Sequence, residues 1–199
     1  MADVDLRTSV LELEWDTAIG YDRCAATVVG RHAGTLIALT AAHCTVAGFS
    51  RVRFFDGAVV PGSAVRVISR SGSSDLAEIA VRASARAMRD TPSARTAARA
   101  PDIGDILAIV GHPVSALRGP NAGRWTTFDG RMAQVTRNPN GALQFEIYCP
   151  LCGPGNSGSG VFDGDGRLVG IVYGVTPISG MPGQPDGLYA DTVPAAQHP

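Results

Sequence analysis

Three polar side chains lie where strand-like runs begin or end, and together they could perform nucleophilic chemistry. Ser157 lies in the stretch CPLCGPGNSGSGVF (149–162), whose glycines allow the backbone to approach a reacting atom closely. His43 ends the run TLIALTAAH, and Asp75 opens the run DLAEIAVR. A serine hydroxyl becomes nucleophilic when an imidazole accepts its proton and a carboxylate orients that imidazole. Each residue alone is typical of a structural position, but jointly they are candidates for a catalytic triad.

Short strand-like runs bounded by Gly, Ser or Asp must position these residues. The first set of runs lies at 24–30, 35–43, 51–55, 63–69 and 75–82, and the second at 105–113, 124–136, 142–149, 159–163, 167–175 and 187–193. We therefore predict an all-β fold of two six-stranded antiparallel β-barrels, with the active site in the cleft between them. The predicted division is an N-terminal segment (1–21), a first barrel (22–83), a connector (84–102), a second barrel (103–193) and a short tail (194–199).

Composition limits the possible partners. A content of 45% apolar and 18% charged residues is ordinary for a globular protein, and a net charge of −1 argues against nucleic-acid binding. No apolar run is long enough to cross a membrane, and no signal peptide is visible at the start, so we expect a cytoplasmic protein or a mature secreted one. All 17 basic residues are Arg, and the five between positions 82 and 99 form either a basic patch or a solvated connector.

The four cysteines allow three disulfide pairings, a metal site or free thiols. Cys149 and Cys152 form a lone C-x-x-C pair, which is a weak zinc signal because no second pair exists. The DGDG turn (163–166) is typical of a hairpin; its alternative as a calcium loop lacks the spaced acidic ligands. We expect no metal and no cofactor.

The motifs TAAHC, SSDLAEIAV and GPGNSGSGVF, in this order, resemble the His, Asp and Ser motifs of the chymotrypsin-like (trypsin-fold) serine proteases. The segments from GHP (111–113) to GNSGSGVFDGDGRLVGIVYG are most similar to the bacterial glutamyl-endopeptidase branch. The resemblance implies that His43 is general base and acid, that Asp75 orients it and that Ser157 is the nucleophile. It also implies an oxyanion hole made by the backbone N–H groups of Gly155 and Ser157.

The same resemblance implies a disulfide between Cys24 and Cys44. Cys149 and Cys152 have no clean counterpart in that branch, so they could bridge to each other, line the pocket wall or form a redox switch. Where proteases activated by N-terminal trimming have an Asp before the nucleophile, this chain has the neutral Asn156. We therefore expect an active site that does not need cleavage of the N-terminus.

The substrate pocket is predicted from six positions: Leu151, Cys152, Val172, Tyr173, Gly174 and Gly187. The branch's glutamate-binding His is absent, and no acid stands at the predicted base, which favours an uncharged, apolar or small side chain before the scissile bond. Asp186 is the nearby acid that could reverse this preference. We expect a serine endopeptidase acting on protein or peptide substrates, either as a shortened variant of this fold or as one domain of a longer regulated protein. The alternatives are a catalytically silent peptide-binding module on this fold and an esterase with the same triad.

Overall fold

The computed structural model describes residues 5–17, 20–112, 125–179 and 187–195. Within these ranges the chain is mainly β, and its strands form two antiparallel assemblies. The N-terminal strands are β1 (Val10–Thr17), β2 (Gly20–His32), β3 (Thr35–Ala41), β4 (Arg51–Arg53), β5 (Val59–Pro61), β6 (Val65–Ser71) and β7 (Leu76–Arg82). The C-terminal strands are β8 (Ile106–Gly111), β9 (Thr126–Arg137), β10 (Leu143–Tyr148), β11 (Gly160–Phe162), β12 (Leu168–Ile178) and β13 (Gly187–Pro194).

The helices are few and short. In the part of the chain that the structure describes, three 3-10 helices cover Leu6–Ser9, Ala42–Thr45 and Gly62–Ala64, and one α-helix, α1, covers Ala85–Asp90. Ser84 caps α1 because its side chain accepts a hydrogen bond from the Ala87 N–H. Among the described residues, no helix has the length and apolar content needed to span a membrane.

The C-terminal strands form a closed six-stranded barrel in the order β10-β13-β12-β11-β8-β9, with β9 pairing back to β10. This agrees with the predicted second barrel. Its interior contains Ile109, Phe145, Ile147, Val161 and Val172, each fully or almost fully buried. Alternation along each strand directs these apolar side chains inward, so the barrel is a packed core.

The N-terminal strands form a seven-stranded sheet, not the predicted six-stranded closed barrel. Its order is β5-β4-β1-β2-β3-β7-β6, and within the described residues no ladder joins the edge strands β5 and β6. Only Gly62–Ala64 separates these two strands in the chain, so the sheet must curl to bring its edges within reach of that connection. Pro61 at the end of β5 has no N–H to donate, which leaves a short edge that cannot extend a ladder.

Strand β1 lies inside this sheet, whereas the sequence predicts an N-terminal segment (1–21) outside the first barrel. It pairs with β2 from Val10↔Thr27 to Thr17↔Gly20 and with β4 around Leu13↔Val52. Its acidic residues Glu12 and Glu14 interrupt the apolar pattern of the segment. They are almost fully buried, however, because arginines from β2 and β4 form ion pairs with them.

The two assemblies pack against each other through a third apolar cluster. It combines Val10, Leu39 and Leu76 from the sheet with Phe162 and Ile171 from the barrel. The connector also contacts both assemblies, since Ala94 N–H donates to Val28 O (2.7 Å) and Ala97 N–H donates to Leu168 O (2.8 Å). These contacts hold the sheet, which contains the turns that follow β3 and precede β7, against the barrel, which contains the turn that precedes β11.

Candidate active site

His43 and Asp75 are hydrogen-bonded to each other in two ways. The His43 Nδ1 lies 2.7 Å from Asp75 Oδ2, and the His43 backbone N–H donates to Asp75 Oδ1 (2.9 Å). Their side chains are 49% and 33% exposed, so the pair faces solvent on one side. With Nδ1 bonded to the carboxylate, the other ring nitrogen, Nε2, is available to accept a proton.

The elements around this pair explain its position. His43 lies in the 3-10 helix Ala42–Thr45 that ends β3, and Asp75 immediately precedes β7, the neighbour of β3 in the sheet. Ala42 N–H also donates to the Asp75 backbone oxygen (2.8 Å). The two residues are therefore joined by main-chain bonds between adjacent strands as well as by their side chains.

A disulfide between Cys24 and Cys44 ties β2 to the segment that contains His43. The two sulfurs and the His43 ring nitrogen all lie within 4.8 Å of one another. Because the sulfurs are bonded to each other, this group does not offer free thiolates to a metal ion.

Ser157 lies in the turn before β11, and the main chain of this turn is anchored to both assemblies. Ala25 N–H, next to Cys24, donates to Ser157 O (2.7 Å), while Gly158 N–H donates to Val172 O (2.7 Å). The Ser157 main chain is thus bonded to the residue that follows Cys24, whose disulfide partner Cys44 follows His43. Among the described residues, the bond to Asp75 is the one hydrogen bond that the His43 ring makes, so Ser157 Oγ does not bond to it directly. Catalytic hydrogen bonds are often long before substrate binds.

The backbone before Ser157 leaves two donors free. Within the described residues, neither the Gly155 nor the Ser157 N–H donates a hydrogen bond. Gly155 has a φ of 94°, which a residue with a side chain rarely adopts, so a glycine is required here. Asn156 between them is fully buried, and both polar atoms of its side chain lack a partner among the described residues.

Cys149 and Cys152 are joined in a second disulfide at the start of this turn. Both are buried in the barrel interior, and Cys152 N–H donates to Cys149 O (3.0 Å). Of the alternatives left open by the sequence, the structure has the two cysteines bridged to each other. Leu151 within the bridged loop is 50% exposed.

The residues predicted to line the pocket do not share one exposed wall. Val172 is fully buried in the barrel interior, as is Cys152, because alternation along β12 directs Val172 inward. Gly187 lies against the Tyr148 ring, where an added Cβ would stand 2.7 Å from Cε2. Tyr173 and Gly174 are half-buried on β12. Asp186 lies outside the described residues.

A polar network that no sequence motif indicates adjoins these positions, and Gln144 and Asp191 are its buried members. Tyr173 OH donates to Gln144 Oε1 (2.5 Å), Gln144 Nε2 donates to Asp191 Oδ1 (3.0 Å), and Thr176 Oγ1 donates to Asp191 Oδ2 (2.6 Å). Burial raises the pKa of Asp191. Burial and the charges of Asp191, Asp75 and Glu146 raise the pKa of Tyr173 to about 12. The signal for Asp191 was an acid inside the apolar run GLYADTV.

A closed six-stranded barrel packed on a curled sheet, with a His–Asp pair on the sheet and a glycine-rich serine turn on the barrel, is the architecture of trypsin-like proteases. The chain belongs to the trypsin-like peptidase domain family, which matches residues 24–171. Membership of this family supports a hydrolase of the serine protease class. It does not confirm the glutamyl-endopeptidase branch. No curated protein is similar enough to match the chain.

Solved structures show the same fold. The active form of the Rv3671c protease from M. tuberculosis superposes with a TM-score of 0.68 at 20% identity, covering 96% of this chain and 78% of that chain. The inactive form of the Rv3671c protease gives a TM-score of 0.66 at 20% identity, with coverage of 96% and 85%. The HtrA-type protease AlgW with a tripeptide gives 0.67 at 22% identity; the match covers 96% of this chain and 57% of AlgW. At these identities the likeness concerns the fold.

Proposed function

We propose that the protein is a serine endopeptidase that uses His43, Asp75 and Ser157 as a catalytic triad. The observation that supports it best is the 2.7 Å contact between His43 Nδ1 and Asp75 Oδ2, which leaves Nε2 free for proton transfer. A structural histidine would not need a half-exposed ring, a carboxylate partner and a nearby serine turn at once.

The proposed reaction proceeds through an acyl-enzyme. Ser157 Oγ attacks the scissile carbonyl while His43 Nε2 takes its proton, and Asp75 holds the ring and stabilises the imidazolium. The N–H groups of Gly155 and Ser157, which have no other acceptor among the described residues, donate to the oxyanion. His43 then protonates the leaving amine, and water attacks the acyl group with His43 as base. No cofactor takes part.

We propose that the substrate binds as an added strand. Strand β12 pairs with β11 only as far as Ile171, so residues 173–178 have an edge that no described ladder occupies. An extended peptide can hydrogen-bond to such an edge. The resemblance to the glutamyl-endopeptidase branch does not extend to its specificity, and we propose an uncharged, apolar or small side chain before the scissile bond. A peptide-library cleavage profile tests that preference.

Labelling with a fluorophosphonate tests the proposed nucleophile. We expect the wild-type protein to be labelled and Ser157→Ala to lose the label completely. Ser159→Ala is the matched control, because Ser159 lies in the same segment but is fully buried. Asp75→Asn should lower kcat by about 10⁴-fold, since the His43 ring loses its carboxylate partner.

The outcome separates the alternatives. A wild-type protein that is not labelled would indicate a catalytically silent binding module. A protein that is labelled at Ser157 and hydrolyses small esters, but not casein or a peptide library, would be an esterase. Label in Ser157→Ala would refute the assignment of the nucleophile.

A further inference from the structure

Asp75 has an unusual backbone conformation. Its φ is +50°, and Ala33 is the other residue besides glycine with positive φ in the described part of the chain. An aspartate in this region is strained, and such strain persists only when surrounding contacts over-determine the conformation. The question is which contacts hold the turn that contains Asp75.

Some of these contacts come from the same sheet. Ala42 N–H donates to Asp75 O (2.8 Å), and His43 N–H donates to Asp75 Oδ1 (2.9 Å). Within the turn, Ser74 Oγ donates to Ser71 Oγ (2.7 Å). These bonds fix Asp75 relative to His43, but they do not fix it relative to the barrel that contains Ser157.

One contact comes from the other assembly. Asn138 follows β9 of the barrel, and its Nδ2 donates to Ser73 O (2.6 Å), two residues before Asp75. The Asn138 side chain is itself held, because its Oδ1 accepts hydrogen bonds from Asn140 N–H and Ala142 N–H, each 3.0 Å long. A side-chain amide with both acceptor bonds made inside its own turn presents Nδ2 in one direction.

We propose that Asn138 is a positioning residue that tethers the Asp75 turn to the C-terminal barrel. This inference rests on the proposed function, in which Asp75 and His43 from the sheet must meet Ser157 from the barrel. The bond from Ala25 to Ser157 holds the nucleophile against the sheet. The bond from Asn138 to Ser73 holds the turn that contains Asp75 against the barrel. The sheet thus positions Ser157, and the barrel positions Asp75.

Asn138→Asp distinguishes the two roles of the Asn138 side chain, which are to bond to Ser73 and to stabilise its own turn. A carboxylate can still accept the bonds from Asn140 and Ala142, but it has no proton to donate to Ser73 O, which it would repel. We expect kcat for a peptide substrate to fall about three- to ten-fold, the effect of one exposed hydrogen bond, with KM changed less than two-fold. Asn138→Ala should lose at least as much. Arg137→Ala is the control: Arg137 Nη1 donates to Gly141 O (2.7 Å) in the same turn, and its loss should leave both constants unchanged.

A double-mutant cycle tests whether the effect passes through Asp75. In an Asp75→Asn background, whose residual activity is measured at high enzyme concentration, Asn138→Asp should change kcat less than two-fold. An equal loss in both backgrounds would overturn the proposal, because the residue would then act on the whole fold. If the wild type is active and Asn138→Asp is equally active, the proposed role of Asn138 is wrong, but the proposed function stands. An inactive wild type would overturn the proposed function, and this proposal with it.

Discussion

Replacing Gly158 with alanine should damage both the fold and the reaction. Gly158 follows Ser157 and has a φ of +83°, and an added Cβ would collide with the Ala25 carbonyl oxygen and stand 2.5 Å from Thr40 Oγ1. Both neighbours are fully buried, and Thr40 Oγ1 donates to Ala25 O (2.6 Å). Because the first obstacle is main chain in the middle of a sheet, rotation of a side chain cannot relieve the collision.

The expected cost has two parts. The positive φ costs an alanine about 1–2 kcal/mol. Moving the turn away from β2 weakens the 2.7 Å bond from Ala25 N–H to Ser157 O, worth about 0.5–1.5 kcal/mol. Together these predict a loss of about 1.5–3.5 kcal/mol, or roughly 3–14 °C in Tm for a chain of this length. A 1 Å misplacement of a reacting group can lower the reaction rate by about 10²-fold, so kcat should fall by at least about 10²-fold.

Gly34→Ala is the matched control. Gly34 has a similar φ of +78°, but an added Cβ would meet nothing within 4 Å. It should therefore lose only the strain, about 1–2 kcal/mol, and keep full activity. Thermal unfolding and peptide hydrolysis are measured on both variants. The reasoning would be refuted if both variants lost the same amount of Tm and Gly158→Ala hydrolysed peptide at the wild-type rate.

Three further predictions concern stability. Cys44→Ala opens the disulfide to Cys24, 20 residues away, and should cost about 3 kcal/mol in denaturant unfolding; an unchanged midpoint would contradict this. Thr27→Val removes a fully buried hydroxyl that has no partner among the described residues, and should raise Tm by about 2–4 °C; a lower Tm would indicate a bound water. Burial, with a contribution from Arg23, lowers the pKa of His112 to about 3. At this residue the unfolded state therefore binds a proton between about pH 6.5 and 3 that the folded state does not, so the contribution of His112 to stability should fall by about 1.4 kcal/mol per pH unit as pH drops through this window. The raised pKa of Glu12, about 7, contributes in the opposite direction above about pH 4.5. Relative to the wild type, His112→Phe should therefore gain stability as pH drops through this window, and a stability difference in urea titrations that does not change with pH would refute the prediction.

The sequence was informative where a local pattern determines a local structure. His43, Asp75 and Ser157 were identified at the ends of strand-like runs, and the structure has each of them in a turn or 3-10 segment beside β3, β7 and β11. Glycine, serine and aspartate interrupt strands for reasons that depend on a few neighbouring residues. Their catalytic roles remain predictions that the labelling experiment tests.

Other features depend on residues that are distant in the chain. The alternation of β1 was hidden by Glu12 and Glu14, whose burial depends on Arg23 on β2 and on Arg51 and Arg53 on β4. Burial raises the pKa of Glu12 to about 7, although the charges of Arg23 and Arg53 act to lower it. No local rule predicts that a strand with buried carboxylates lies beside strands that supply guanidinium groups.

The side-chain directions at the predicted pocket positions also depend on contacts that are distant in the chain. The pocket residues were chosen by their place in the chain, but Val172 faces the barrel interior, and a bulge between Val172 and Gly174 changes the register of β12 against β13. The network of Gln144, Tyr173 and Asp191 requires three strands in a specific register. Register across a barrel follows from the packing of the whole assembly, and a one-residue change reverses which face a side chain occupies.

The contacts between the two assemblies explain why a strained aspartate can be retained. The apolar cluster that includes Leu39, Leu76 and Phe162 brings the assemblies together without specifying how their turns align, because apolar contact is non-directional. Hydrogen bonds are directional, and those from Ala25 to Ser157 O and from Asn138 to Ser73 O both lie at the turns of the candidate site. The apolar cluster therefore contributes association without a preferred alignment, whereas directional bonds at the two turns favour the alignment on which the proposed proton transfer from Ser157 to His43 would depend.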